Sequence, residues 1–289
     1  MKIAELYQRK KTVISFEIFP PKKEADLEGI DRILAELGEL SPDFISVTYS
    51  AGGMNNSAAT FDIASKIQNE HQILSLAHMT CINSTPEQVA GNLEKAKLLG
   101  IENIMALRGD IPADYTGTPH YLYAKDLIAK IKKEQPQICI GAAAYTEGHT
   151  DCESVELGVE HLKQKADAGA DFFVTQLFFD NRFFYEFYDK TLAVGLDLPI
   201  SAGIMPILSK SQIEKMIFMC GASLPARIVK MLGKYENSPE DLKKAAMEYS
   251  AEQINDLIAH KVDGVHIYTM NRPEIARGNL EKIRYGNRI

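Results

Sequence analysis

Apolar, strand-like segments of this chain end near residues 17, 48, 78, 108, 143, 176 and 202, and an eighth ends at Tyr268. The spacing of roughly thirty residues is the length of one strand–helix–strand unit. Three junctions repeat one pattern: KLLGIENIMALRG, ADAGADFFVTQLF and AHKVDGVHIYTMN each run from a helix end through glycine into an apolar strand. Eight parallel strands with helices between them form an α/β (β/α)8 TIM barrel, and the long interval before Tyr268 places extra helices between strands 7 and 8. A doubly wound open sheet is the alternative. No Pro/Gly/Ser-rich linker divides the 289 residues, and 45% apolar residues suffice for a large core, so residues 1–289 are expected to form one domain.

The strands are expected within Thr12–Pro21 and at Phe44–Thr48, Ile73–His78, Asn103–Arg108, Ile138–Ala143, Asp171–Gln176, Leu198–Ala202 and Gly264–Tyr268. The helical stretches between them include Lys22–Gly38, Tyr121–Glu134 and Glu153–Ala168, with Gln212–Cys220, Pro225–Leu232 and Pro239–His260 as the extra helices. In TVISFEIFPP, alternation sends Ile14, Phe16 and Ile18 to one face and Val13, Ser15 and Glu17 to the other. Pro20 and Pro21 end the strand, because proline cannot donate a ladder hydrogen bond. Glu17 therefore stands at a strand's carboxyl end, where it is paired, solvated or protonated.

Polar residues occupy nearly every strand exit: Glu17, Thr48, His78, Arg108 with Asp110, Tyr145 with His149, Gln176, and Tyr268 with Arg272. At the carboxyl ends of barrel strands such a set reads as a ligand site. No GxGxxG follows a strand, so a nucleotide would be held differently, with Arg108, His149 and Lys165 as anion contacts. Taken alone, Lys165 reads as an exposed helix lysine, or as a Schiff-base lysine if desolvated. The net charge of −7 without basic clusters excludes nucleic acid. No apolar run resembles a signal peptide or a membrane span, which predicts a cytoplasmic protein with no membrane partner. Four widely spaced cysteines suggest neither disulfides nor zinc; His78 and Cys81 lack the further ligands a metal needs, and no metal is expected.

The pieces SFEIFPP, ISVTYSAGG, AHMTCIN, ALRGD, AAAYTEGH, GADFFVTQLFFD, AGIMPI and HIYTMNRPE occur in order from Thr12 to Glu274. With them the chain resembles bacterial methylenetetrahydrofolate reductases. The resemblance implies one catalytic barrel that uses FAD and NADH or NADPH to reduce 5,10-methylenetetrahydrofolate to 5-methyltetrahydrofolate. It implies a ping-pong hydride transfer through flavin N5. It makes Glu17 the proton donor and Asp110 the acidic residue near flavin and pterin. FAD contacts are implied for Tyr49, Ala51, His78, Arg108, Gly109, Asp110, Tyr123, Ala124, Tyr145, His149, His161 and Lys165. Substrate contacts are implied for Thr48, Gln176, Gln212, Tyr268 and Arg272. Gly158 and His161 stand where relatives can have Asp and Asn, and Met216 where an aromatic can cover the folate. The resemblance also implies a homo-oligomer without the C-terminal regulatory domain of larger relatives, and so without inhibition by adenosylmethionine. Opening the substrate's five-membered ring needs a proton on a weakly basic nitrogen, so a Glu17 pKa raised by desolvation is expected. The rival readings are a Schiff-base or metal-dependent lyase using Lys165 or Lys230, and a barrel that only binds folate or a protein.

Overall fold

A computed structural model describes residues 1–21, 27–49, 57–111 and 118–283. A short helix, α1 (Ala4–Arg9), precedes β1 (Val13–Ile18), α2 (Leu27–Gly38), β2 (Phe44–Val47), α3 (Ser57–Asn69), β3 (Leu74–Thr80), α4 (Pro86–Leu98) and β4 (Asn103–Leu107). Then come α5 (Ala124–Glu134), β5 (Cys139–Ala144), α6 (Val155–Asp167), β6 (Phe172–Thr175), α7 (Asn181–Ala193) and β7 (Ile200–Ile204). Helices α8 (Lys210–Cys220), α9 (Ala226–Lys234) and α10 (Pro239–Ala259) fill the interval before β8 (Gly264–Tyr268), and α11 (Pro273–Lys282) follows it. Each strand pairs in parallel with its sequence neighbours, and β8 pairs with β1, closing the barrel. The expected barrel is therefore found, and the open sheet is not.

Alternation decides what each strand residue meets. Ile14, Phe16 and Ile18 of β1 pack with Ile45 and Val47 of β2 into the layer between sheet and helices, while Val13 joins the barrel interior. Strand limits shift where backbone chemistry dictates. Pro199 has no N–H to give, so β7 begins at Ile200 rather than Leu198. Helices α1 and α11 were not expected; six residues are too few for α1 to show a helical period. Leu6 of α1 and Ile3 just before the helix pack with Val13, Phe44, Leu76, Met105, Cys139, Phe172 and Val174 across the bottom of the barrel. Tyr7 fixes α1 there, its hydroxyl 2.8 Å from Ser201 Oγ.

Three strand entrances carry a common device, two of them within the repeated junctions. Asp43, Asp171 and Asp263 each stand just before a strand and accept the N–H of Ile14, Ile140 and Ile200 on the neighbouring strand, at 2.8, 2.7 and 3.0 Å. Each satisfies a backbone donor near a strand start that would otherwise be lost to the sheet.

The extra helices build a second small core, in which Leu177, Phe179 and Ile207 meet Ile213, Ile228, Leu232, Leu242 and Ala246. This places α8 along one side of the carboxyl-terminal face of the barrel, where Met216 and Cys220 line the mouth. Among the described residues no helix is long and apolar enough to cross a membrane.

Candidate functional site

A cavity of about 950 Å³ opens at the carboxyl ends of the strands. Glu17 on β1 is one of its largely buried polar groups. The parallel register sets Glu17 beside Ser46 on β2 and Tyr268 on β8, and Ser15 beside His266. Ser46 Oγ donates to Glu17 Oε2 at 3.3 Å, and Nε2 of both His78 and His266 lies 3.5 Å from that oxygen. His266 is 1% exposed, stacked on Phe44 and met edge-on by Tyr268. Its Nδ1 is 2.7 Å from Ser15 Oγ and its Nε2 is 3.3 Å from Ser46 Oγ.

With a neutral His266 ring, the hydrogen-bond inventory of this cluster admits two arrangements. With the His266 proton on Nε2, the ring donates toward an ionised Glu17 and Ser15 donates to Nδ1. With the proton on Nδ1, the ring donates to Ser15, whose hydroxyl turns to the Val265 carbonyl 3.4 Å away. Nε2 then accepts, which suits a protonated Glu17. The tautomer of His266 thus follows the charge of Glu17.

Burial is the largest influence on the Glu17 carboxyl and pushes it up. Hydrogen bonding with His266, the pull of the His78 and His266 rings in their protonated forms, and the Ser46 hydroxyl outweigh it, so the carboxyl lies below its ordinary range. This overturns the expected upward shift in the open site: the partners come from β2, β3 and β8, and together they favour the anion. Burial pushes His78 down to about 4, so its ring is neutral at physiological pH.

Tyr268 closes the wall beside Glu17, its hydroxyl donating to the Thr175 carbonyl at 2.7 Å. Burial and the Glu17 charge raise its phenol well above the ordinary value. Gly203 makes this approach possible. A Cβ there would lie 2.3 Å from the Thr175 carbonyl oxygen and 2.8 Å from the Tyr268 hydroxyl.

The other end of the cavity is basic. Arg108 and Gly109 follow β4, and Gly109 adopts φ +86°, which turns the chain so that Asp110 reaches the rim. Lys165 is not the exposed helix lysine its neighbours suggest. The stripe Val155, Val159, Leu162 and Ala166 faces the barrel, and Lys165 lies beside it, donating to the Ala143 carbonyl at 2.7 Å with its Nζ 5.6 Å from the Tyr145 ring centroid. Burial and the charge of Arg108 bring its ammonium down to about 8. His149 packs edge-on against Tyr145 and is likewise lowered, by burial and by Arg108.

The cavity brings together Glu17, Thr48, Tyr49, His78, Arg108, Gly109, Asp110, Tyr123, Ala124, Tyr145, His149, His161, Lys165, Gln176 and Tyr268, with Gly158 and Met216 in its lining. Ala51 lies outside the described residues. Gln212 is not in the lining: its amide accepts the Leu208 N–H at 2.7 Å and donates to the Pro206 carbonyl, tying down its own loop. Arg272 is exposed before α11, also outside the lining, and so is Lys230 on α9. Cys81 is buried, its thiol directed at the Tyr123 carbonyl 3.7 Å away. Sequence reasoning passed over His266 and Asp151. His266 was findable, since it precedes Tyr268 by two and shares its inward row; Asp151, in a loop, carries no periodic signal.

A profile of the family described as methylenetetrahydrofolate reductase matches residues 2–283. The 5,10-methylenetetrahydrofolate reductase of Pectobacterium carotovorum is 33% identical over 263 residues, covering 91% of this chain and 87% of that protein. Methylenetetrahydrofolate reductase 1 of Schizosaccharomyces pombe is 32% identical over 280 residues, covering 95% of this chain but 46% of its own length. The chain thus spans about half of that longer relative and most of the bacterial one. An uncharacterized protein from Clostridium thermocellum that binds two copies of 5-methyl-5,6,7,8-tetrahydrofolic acid superposes with a TM-score of 0.66, covering 97% of this chain and 96% of that one. At 16% identity that likeness shows the shared barrel alone. A profile match over nearly the whole chain, together with a bacterial relative matched along most of its length, establishes that the chain belongs to the methylenetetrahydrofolate reductase family.

Proposed function

We propose that this chain is one catalytic unit that reduces 5,10-methylenetetrahydrofolate to 5-methyltetrahydrofolate, with FAD as cofactor and NADH or NADPH as reductant, the two substrates taking turns at one site. The observation that carries this reading is the polarity of the cavity at the strand ends: the Glu17 carboxylate, held by Ser46, on one side, and the basic side chains Arg108, His149 and Lys165 on another. The residues present fit FAD. The cavity is at the upper end of small-molecule sites in size, with apolar walls from Leu76, Met105, Leu107 and Val174. Arg108, Lys165 and the neutral His149 suit a diphosphate without a Gly-rich fingerprint. When bound, FAD supplies the hydride chemistry between nicotinamide and folate.

The chain's own task in folate reduction is the proton. Glu17 has to deliver it to the ring nitrogen of the substrate so that the five-membered ring opens to an iminium able to accept hydride. The open site favours ionised Glu17, but burial is already the largest influence on it. A substrate bound in the cavity would exclude the remaining water and strengthen that influence, favouring a proton on the carboxyl. His266 and Ser15 accommodate the change by exchanging tautomer and hydroxyl direction. Asp110, on the rim, keeps a negative charge near the reacting rings.

The purified protein is expected to show a flavin absorbance spectrum that NADH or NADPH bleaches and methylenetetrahydrofolate restores. A colourless protein, or bleaching that folate does not reverse, would refute the assignment.

FAD affinity is expected to depend on pH through Lys165. Below pH 8 the ammonium is already charged in the free protein and affinity is flat in this respect. As pH rises through about 8 the free protein loses that proton while a bound diphosphate retains it. Affinity then falls by up to about tenfold per pH unit. Lys165→Met should weaken binding and flatten this limb, measurable by flavin fluorescence on dilution; a retained limb assigns the titration to another group.

A further inference from the structure

The guanidinium of Arg108 is already bound by one of the chain's own carboxylates. Its Nη2 donates to Asp151 Oδ2 at 2.9 Å, and its Nε donates to the Gly109 carbonyl at 3.3 Å. Asp151 stands in the loop between β5 and α6, where its N–H donates to His149 Nδ1 at 3.0 Å. That bond puts the proton of the neutral His149 ring on Nε2, leaving His149 a donor. The two ends of the ion pair differ in burial: the Arg108 side chain is 23% exposed and that of Asp151 is 60%. Arg108 is thus the fixed member, anchored beside its strand, and Asp151 is the member able to leave for water.

A carboxylate oxygen that accepts a single guanidinium N–H at this distance stands where one phosphate oxygen would stand. Resting on the reading of this end of the cavity as a diphosphate subsite, we propose that Asp151 is an internal competitor, which occupies Arg108 until a diphosphate displaces it. Displacement is easy because the pair reaches water on the Asp151 side, where screening weakens it, and the carboxylate is fully solvated once released. Every anion that uses Arg108 has to make the same displacement, so Asp151 lowers the affinity of each by a common factor. A small anion with no other contact has nothing to offset that factor. A nucleotide diphosphate, which also engages Lys165 and His149, retains enough binding energy to enter.

The test is serial dilution of the flavin-loaded full chain, wild type and Asp151→Asn, read by the fluorescence of released FAD. Asparagine keeps the size of the side chain and removes the charge; Asp151→Ala removes the hydrogen bond as well. Kd for FAD is expected to fall by about two- to fivefold in both variants, the range of an exposed pair. Inorganic pyrophosphate, titrated as a competitor, should gain by the same factor. An unchanged or weaker FAD affinity would mean that Asp151 orients Arg108 rather than competing for it, and the inference fails. It also fails if the gain grows with ligand charge, which is through-space repulsion. Should the wild-type chain bind no flavin, the FAD reading falls by itself. Calorimetric titration of the same chains with pyrophosphate still decides the role of Asp151.

Discussion

Glu17→Gln is expected to abolish folate reduction while leaving reduction of the flavin by NADH close to wild type. Removal of a general acid costs about a hundred- to ten-thousandfold in rate, and here the proton is needed only to open the folate ring. Glutamine keeps the shape of the carboxyl and can still accept the Ser46 hydroxyl, which donates at 3.3 Å, so the wall of the cavity should stand. Stopped-flow absorbance separates the halves: flavin bleaching by NADH, then its return on mixing with methylenetetrahydrofolate. Equal loss in both would make Glu17 a structural residue, and loss in neither would remove it from the chemistry. Replacement of His266 by Asn is expected to change the pH profile of the folate half alone, since His266 acts on Glu17.

Gly203→Ala is expected to damage stability and site together. The added methyl would meet the Thr175 carbonyl oxygen at 2.3 Å and the Tyr268 hydroxyl at 2.8 Å, distances at which the backbone or the ring must move. Overpacking of this kind costs about 1–3 kcal/mol, or roughly 2–12 °C in Tm for a chain of this size. The hydroxyl of Tyr268 holds the Thr175 carbonyl, so a displaced ring also loosens the wall next to Glu17. Adding Tyr268→Phe should recover part of the loss and no more, because the nearer obstacle is backbone. A calorimetric Tm within a degree of wild type in Gly203→Ala would show that β7 yields freely.

The barrel was legible because its cause is periodic. A thirty-residue repeat of strand and helix needs no knowledge of side-chain contacts, and alternation on β1 alone sent Glu17 inward. Within the site, legibility ended where neighbours in space took over. The downward shift of Glu17 depends on Ser46, His78 and His266, which lie on three other strands. Lys165 was misread from its solvated sequence neighbours, although the helical stripe that includes Leu162 carries it to the barrel face. Gln212 matches a substrate position by motif, yet its amide is spent on Leu208 and Pro206, a contact that spacing cannot reveal. Asp151 had no signal at all, because a loop residue gains its role from the strand exit it happens to face.

The helix laid across the bottom of the barrel bears on traffic as well as on packing. With Ile3 and Leu6 wedged against Phe44, Met105 and Phe172, the described barrel is a cul-de-sac whose mouth serves as both entrance and exit. In such a blind alley a product has to back out along the path by which its successor comes in. If, as proposed, two bulky reactants each need the same inner wall, they queue rather than meet, whatever their relative affinities. Alternation of the substrates would in that case be a property of the architecture, held in place by two side chains at the far end of the molecule from the chemistry.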